Sequence, residues 1–465
     1  MNDSRDLVVL GAGPAGLAAA WRAARRGFKV TLLERADRVG GLAGSFELAG
    51  LRVDHGSHRL HPSTPQPLIA DLRSLLGRDL QTRPRKGQLR IAGRWVGFPL
   101  HAAELARELP ASMVARVAGE SVTAPLRRVT DDTYASVLTA GLGPTLYNSV
   151  YAPYAEKLWG LPGDRISGVQ ARRRVSADTA WKIAARIVGA NRGDALGRFF
   201  YYPRRGFGQI VEALADAAAA EGAEIRLEAE VDSVRVFENE VVVGTQDGDA
   251  VSARYAFSTL PLPVLAKIGR PAPSLADIES ATRLRFRAML LVYLVHGGGR
   301  WTGFDAHYIP TPETPITRIS EPANYRDSAD DPTDRSVLCA EIPCAMTDEV
   351  WGLDDESLGD LVDEALARTG LPAVNRLHVE SRRLGQVYPV YRVGFEDDLA
   401  GVDSWARMLR RVVTFGRQGL FAHDNTHHAL VMAYDAVDAL RDDGRFDRYA
   451  WTAARQRFAG HVVED

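Results

Sequence analysis

Three glycines, at positions 11, 13 and 16, stand between the aliphatic run Leu7-Val8-Val9-Leu10 and a stretch with helical spacing that continues through Arg26. G-x-G-x-x-G at a strand-to-helix junction is the arrangement that receives a dinucleotide pyrophosphate. Gly11 permits the tight turn, Gly13 lets the backbone approach the phosphates, and Gly16 lets helix and strand pack closely. Pro14 and Ala15 belong to the same binding turn, where free N–H groups and the helix dipole favour an anion. Val30-Thr31-Leu32-Leu33 closes a βαβ unit ending in Glu34, whose carboxylate can accept from ribose hydroxyls; Arg35 adjoins it. Gly40-Gly41 and Leu42 follow, and successive glycines let the chain pass a cofactor with no side chain in the way.

No second dinucleotide motif is found. Gly206-Phe207-Gly208 lacks the third glycine, Gly297-Gly298-Gly299 introduces no helix pattern, and there is no CxxC to relay electrons. Seryl-hydrolase and paired-aspartate patterns are also missing, so the chemistry is expected to be a bound cofactor's own. His55, His58 and His61 recur every three residues beside Asp54. No cysteine or carboxylate cluster completes a coordination shell, so no metal is expected, and His58 is read as a ring beside the cofactor.

The bulk numbers set the class. The chain has 465 residues, a formal charge of −2 and 25% charged residues, which gives no reason to expect nucleic acid or a membrane as partner. Its two cysteines, Cys339 and Cys344, lie in an apolar stretch and are expected as reduced core residues. The first strand begins within six residues and the longest apolar run is Ala288 to Val295, so the expectation is a cytoplasmic protein.

The predicted fold class is α/β: a discontinuous Rossmann-like domain, an α-helical insertion and a sheet-containing substrate domain. Residues 1–75, 201–270 and 386–465 are assigned to the dinucleotide-binding domain, 76–200 to the helical insertion, and 271–385 to the sheet-containing domain. Helix-like spacing marks Pro99–Val117 and Ala177–Val188, then Ile210–Ala220, Leu358–Ala367 and Ala429–Leu440. Strands are expected within Ala223–Val236, Val241–Thr245, Ala288–Val295 and Ser336–Ile342.

Together these markers resemble the amine-oxidase-like flavoproteins, and within them UDP-galactopyranose mutase more than protoporphyrinogen oxidase. Gly40-Gly41, six residues after Glu34, is similar to their extended dinucleotide pattern and implies FAD rather than NAD. Gly56-Ser57-His58-Arg59-Leu60-His61 resembles the mutase histidine loop beside the flavin. Tyr154-Ala155-Glu156-Lys157-Leu158-Trp159 with Arg174-Val175, and the order Tyr308, Pro310, Arg318, Asn324, Tyr325, resemble segments carrying two substrate-binding arginines. Tyr388-Pro389 is similar to a tyrosine-proline near the diphosphate. Gly416-Arg417-Gln418-Gly419, Asn425 and His428 resemble the C-terminal flavin-contacting motif, and Val231 completes the implied cofactor contacts. The chain departs from the mutase pattern at His423, where a diphosphate-binding tyrosine is usual, and at His427, where an acid is usual.

The resemblance implies a flavoenzyme whose site residues are His58, Arg174, Arg318 and Tyr388. Its substrate is expected to be a small anionic molecule, a sugar nucleotide rearranged with reduced flavin, with NAD(P)H as a transient reductant. The alternative is an oxidase, dehydrogenase or desaturase that removes hydride from a C–N or C–C bond.

Overall fold

The computed structural model describes residues 5–100, 102–174 and 198–463; the expected helix 177–188 lies outside them. Strand Arg5–Leu10 pairs in parallel with Val30–Leu33 on one side and Ala250–Ser258 on the other. Leu7 to Leu10 are fully buried, as a strand covered on both faces must be. The sheet extends from Val30–Leu33 to Glu224–Arg226. On its other flank it runs through antiparallel Val241–Thr245 to Val231–Val236, and Val412–Thr414 joins Ala250–Ser258 in parallel. Helix Pro14–Arg25 packs between helices Gln209–Ala220 and Thr426–Asp438. Its alanines 18, 19, 20 and 23 are fully buried, and their small side chains allow that close packing. Three distant stretches of sequence therefore share one core.

A second, seven-stranded sheet runs in the order Asn375–Pro389, Phe286–Gly297, Arg335–Cys344, Arg318–Ser320, Ala306–Tyr308, Gly87–Ile91, Arg94–Phe98. Alternation along Phe286–Gly297 assigns its two faces. Leu290, Val292 and Leu294 pack with helix Asp355–Thr369, whereas Met289, Leu291 and Tyr293 pack with Phe46, Leu51 and Val53 of the hairpin Ser45–Asp54. That hairpin holds the histidine segment 55–61 against the second sheet. Cys339 and Cys344 are buried free thiols on the strand Arg335–Cys344.

One stretch differs from the sequence expectation. Residues 80–98, assigned above to a helical insertion, form strands Leu80–Pro84, Gly87–Ile91 and Arg94–Phe98. Ala92 and Gly93, with φ 49° and 75°, make a tight turn whose twist suits a hairpin. The partners, Phe199–Pro203 and Ala306–Tyr308, are remote in sequence, so local spacing carries no sign of the pairing. Helices begin only at Ala102, continuing through Ala111–Thr123, Tyr134–Leu142, Ala152–Trp159 and Gly168–Arg174. The last expected helix starts earlier, at Thr426, because Asn425 caps it. Among the described residues no helix is long and apolar enough to cross a membrane.

Candidate functional site

The glycine turn is a surface shaped by close approach. Gly11 has φ 99°, and a methyl on it would lie 2.5 Å from Thr259 Oγ1. A methyl on Gly16 would lie 1.9 Å from the Gly11 carbonyl oxygen, so helix and strand pack at a distance only glycine allows. Around Gly13, by contrast, a methyl would meet no protein atom within 4 Å. Gly41 and Gly416 close in from elsewhere: a methyl on Gly41 would come within 3.3 Å of Gly13 Cα, and one on Gly416 within 3.2 Å of Ala15 Cβ. No side chain caps the helix that starts at Pro14, which leaves its first N–H groups available to an anion. The turn thus fits a dinucleotide, with Gly11, Gly13, Pro14, Ala15, Gly16, Gly40, Gly41 and Gly416 all at one place.

Glu34 accepts from Ala12 N–H at 2.7 Å and Ala36 N–H at 3.0 Å, one bond to each carboxylate oxygen. Each oxygen keeps a second lone pair for a hydroxyl. Arg35 beside it is exposed. Ala229 N–H donates to the Glu34 carbonyl, which brings the start of strand Val231–Val236 next to the carboxylate-bearing turn. Leu42 packs against the apolar cluster that includes Phe46 and Met289.

The histidine segment divides its duties. His55 Nδ1 lies 3.4 Å from the Gly41 carbonyl, so the ring against the glycine turn is His55. His58 stacks on Phe207, with ring centres 5.3 Å apart, and its Nε2 lies 3.0 Å from the His55 carbonyl. Burial holds the pKa of both imidazoles below the ordinary value, and for His58 it outweighs the nearby Asp54 carboxylate. Asp54 itself ties the hairpin down, accepting from Ser45 Oγ at 2.6 Å, Phe207 N–H at 2.9 Å and the Tyr202 hydroxyl.

Beyond Gly56 lies a charge-balanced network. Arg318 donates to both oxygens of Glu341, at 2.7 and 2.8 Å, and Glu341 also accepts from Ser57 N–H at 2.7 Å. Ser57 Oγ bonds the Tyr325 hydroxyl, and Arg59 joins Tyr308, Asp305 and Tyr325. Burial works against the Arg318 cation, yet the Glu341 carboxylate more than offsets it and raises the guanidinium's pKa well above its usual value.

A second cluster gathers around Tyr388 and His423, whose ring centres are 5.1 Å apart. Arg417 lies over the Tyr388 ring at 5.4 Å and donates to the Asp424 and Val387 carbonyls. Among the described residues it makes no ion pair, and burial lowers its pKa. Arg174 lies over the Tyr154 and Trp159 rings. Burial, and then Arg174, Arg417 and Arg173, push the His423 imidazole well below its usual pKa. Lys157 donates to the carbonyls of Ile309, Thr311 and Ile316, fastening the helix that carries Tyr154 and Trp159 to the second sheet. Burial raises the Tyr388 phenol's pKa, and Glu341 adds to this while Arg318, Arg417 and Arg174 oppose it; the two clusters thus meet at Tyr388.

The structure places Arg417 over the Tyr388 ring and pairs Arg318 with the Glu341 carboxylate. Asn425 caps helix Thr426–Asp438 in a reciprocal box with His428. Sequence reasoning missed Glu341 and Gln170. A lone acid inside the apolar run Ser336–Cys344 is a readable sign of the first; nothing local marks the second. Asp424, His428 and His461 bring potential metal-ligand atoms within 4.8 Å of one another. The two imidazoles stack nearly parallel at 4.2 Å, and Arg173 lies 3.4 Å from the Asp424 carboxylate. Lone pairs in parallel planes do not converge on one ion, so the trio reads as an ion-pair and stacking cluster.

Comparison with known proteins agrees with this geometry. A family profile described as flavin containing amine oxidoreductase matches residues 14–431. Flavin-containing monoamine oxidase AofH of Mycobacterium tuberculosis is 38% identical over 92 residues, covering 20% of this chain and 19% of that protein's length. The crystal structure of a reduced UDP-galactopyranose mutase superposes with a TM-score of 0.80 at 21% identity, over 99% of this chain and 100% of that one. A protoporphyrinogen oxidase structure from Exiguobacterium sp. 255-15 gives 0.74 at 18% identity, over 96% and 100%. At such identities the two structures speak for a shared fold.

Proposed function

The chain belongs to the flavin-containing amine oxidoreductases and is an FAD-dependent enzyme, and from that premise we propose that it acts on a small anionic substrate, a sugar nucleotide in the manner of UDP-galactopyranose mutase. The observation that carries this reading is the positive character of the Tyr388–His423 cluster. Among the described residues the hydrogen-bond partners of Arg417 are main-chain carbonyls, and Arg174, Arg417 and Arg173 all act on one imidazole, with Arg173 itself facing Asp424. Such a site attracts phosphate or carboxylate oxygens and opposes a protonated amine.

FAD supplies the electron-rich or hydride-accepting ring when bound, and the glycine turn, the uncapped helix start and Glu34 would hold its pyrophosphate and ribose. The protein's own contribution is binding and electrostatics. Arg417 and Arg174 receive the anion and stabilise negative charge as it develops on a departing phosphate. Tyr388 stays protonated and can donate a hydrogen bond. His55 and His58 stay uncharged, offering a donor or acceptor at the cofactor without a fixed charge.

A second reading, oxidation of an amine, is supported by the family itself and by the relative named a monoamine oxidase. Anaerobic incubation of dithionite-reduced enzyme with UDP-galactofuranose separates the two. The mutase reading expects UDP-galactopyranose to form with no electron acceptor and none to form with oxidised enzyme. Amine-dependent oxygen consumption, without any sugar-nucleotide conversion, would replace it with the oxidase reading.

A further inference from the structure

Gln170 is fully buried on helix Gly168–Arg174, beside Ala171 and Trp159 of an apolar cluster. Burying an amide in such surroundings is unfavourable unless it is hydrogen-bonded. Among the described residues its one bond is from Nε2 to His423 Nδ1, at 3.0 Å, and its Oε1 has no partner. His423 is also anchored through its backbone: its N–H donates to the Tyr391 hydroxyl at 3.0 Å, and that hydroxyl donates to the Phe421 carbonyl.

With an amide N–H directed at Nδ1, that nitrogen must accept, so the neutral imidazole carries its proton on Nε2. A doubly protonated ring would set donor against donor. Nε2 makes no hydrogen bond to the described residues, and the ring lies against Tyr388 and Trp159, at 5.1 and 6.2 Å. Among the described residues the charged and titratable groups around it are Arg173 and Arg174 on the helix of Gln170, Arg417 on the turn after Val412–Thr414, Tyr388 on its strand, and Tyr391 beyond. None is a carboxylate. Asp424, next in sequence, gives its side chain to Arg173 and His461.

We propose that Gln170 is a positioning residue that fixes His423 as an Nε2–H donor, so that His423 offers a directed hydrogen bond to an oxygen of the substrate received beside Tyr388 and Arg417. This rests on the preceding reading for the location of the substrate. The group selected is an acceptor oxygen of a phosphate or sugar. An ammonium, which has only donors, gains no hydrogen bond from an Nε2–H.

The experiment uses FAD-loaded protein labelled with ¹⁵N-histidine, with the His423 signal assigned by its loss in His423→Gln. Wild-type protein is expected to show a neutral Nε2–H imidazole with no titration between about pH 5.5 and 8, where an ordinary histidine changes charge. Gln170→Glu places a carboxylate on Nδ1, so its His423 should titrate within that window. Gln170→Leu, or Gln170→Met if leucine packs poorly, should lose the fixed tautomer. It should bind UDP roughly tenfold more weakly, the loss of one directed hydrogen bond, with flavin content and spectrum unchanged. A charged or Nδ1–H imidazole in the wild type, a tautomer unaltered in Gln170→Leu, or unaltered UDP affinity in that variant overturns the proposal. Failure of wild-type protein to bind UDP would count against the sugar-nucleotide reading, leaving the spectrum of His423 to decide this one.

Discussion

The glycine turn and the arginine cluster are built on opposite principles. The turn works by omission: it uses backbone N–H groups and missing side chains, and most of it comes from residues 11 to 41. The arginine cluster works by side chains brought from helices 152–159 and 168–174, strand 375–389 and the segment 416–424. A further contrast lies inside the second region. Arg318 and Arg417 are both half-buried guanidiniums, but Arg318 has the nearly buried Glu341 carboxylate and Arg417 has main-chain carbonyls. Burial weakens both cations, and only the carboxylate reverses the effect. The two arginines thus differ in what faces them: a carboxylate for Arg318 and main-chain carbonyls for Arg417.

The strongest way to break the comparison is at the turn. Gly13→Val should give folded protein with no bound FAD, measured by flavin absorbance beside an unchanged far-ultraviolet circular dichroism spectrum. Gly16→Val should fail to fold, because its side chain would meet the Gly11 carbonyl. Stoichiometric FAD on Gly13→Val would show that the open space beside Gly13 has another purpose.

The two arginines supply the next contrast. Glu341→Ala leaves Arg318 buried and unpaired and should cost about 3–5 kcal/mol in a denaturant titration. Arg417→Ala should leave stability nearly intact and weaken UDP roughly ten- to a hundredfold, for a charge-assisted bond of about 1.5–3 kcal/mol. Equal losses of stability in both variants would erase the distinction. Arg318→Ala, by the same pairing, is expected to affect stability first.

His58→Ala tests the cofactor side. A shifted flavin absorbance or reduction potential and a roughly tenfold slower turnover are expected, with little change in melting temperature. A lower melting temperature with an unaltered spectrum would leave the ring with only its packing on Phe207.

A separate effect is expected in acid. Burial among Trp95, Trp301 and Phe304 pushes His307 down to about 4, from an ordinary value of 6.5. The unfolded chain therefore binds more protons below pH 6.5, so stability is full above that pH and declines as pH falls toward 4. His307→Phe should flatten that decline in melting temperature measured between the two values. An identical slope would exclude His307 as its source.

The first βαβ unit was legible because every signal in it is local. Strand Arg5–Leu10, the glycine spacing and Glu34 lie in register within 30 residues, and their backbone geometry follows from residue type. Strands 80–98 were not legible, since their partners at 199–203 and 306–308 are chosen by tertiary pairing. The arginines were named from motif order, but their charge state depends on what faces them. Glu341 sits 23 residues from Arg318 and on the adjoining strand, where register places the two side by side.

By itself the sequence marked residues 11–41 as a turn fit for a dinucleotide, because glycine's missing side chain acts wherever the local turn forms. It also determined which cationic and aromatic residues were candidates for a substrate site. Only the tertiary structure decided which arginine is neutralised, which is left to a ligand, and which imidazole faces an amide donor. Those properties depend on burial and on partners as far as 253 positions away along the chain, as Gln170 and His423 are, and electrostatics follows distance in space rather than in sequence.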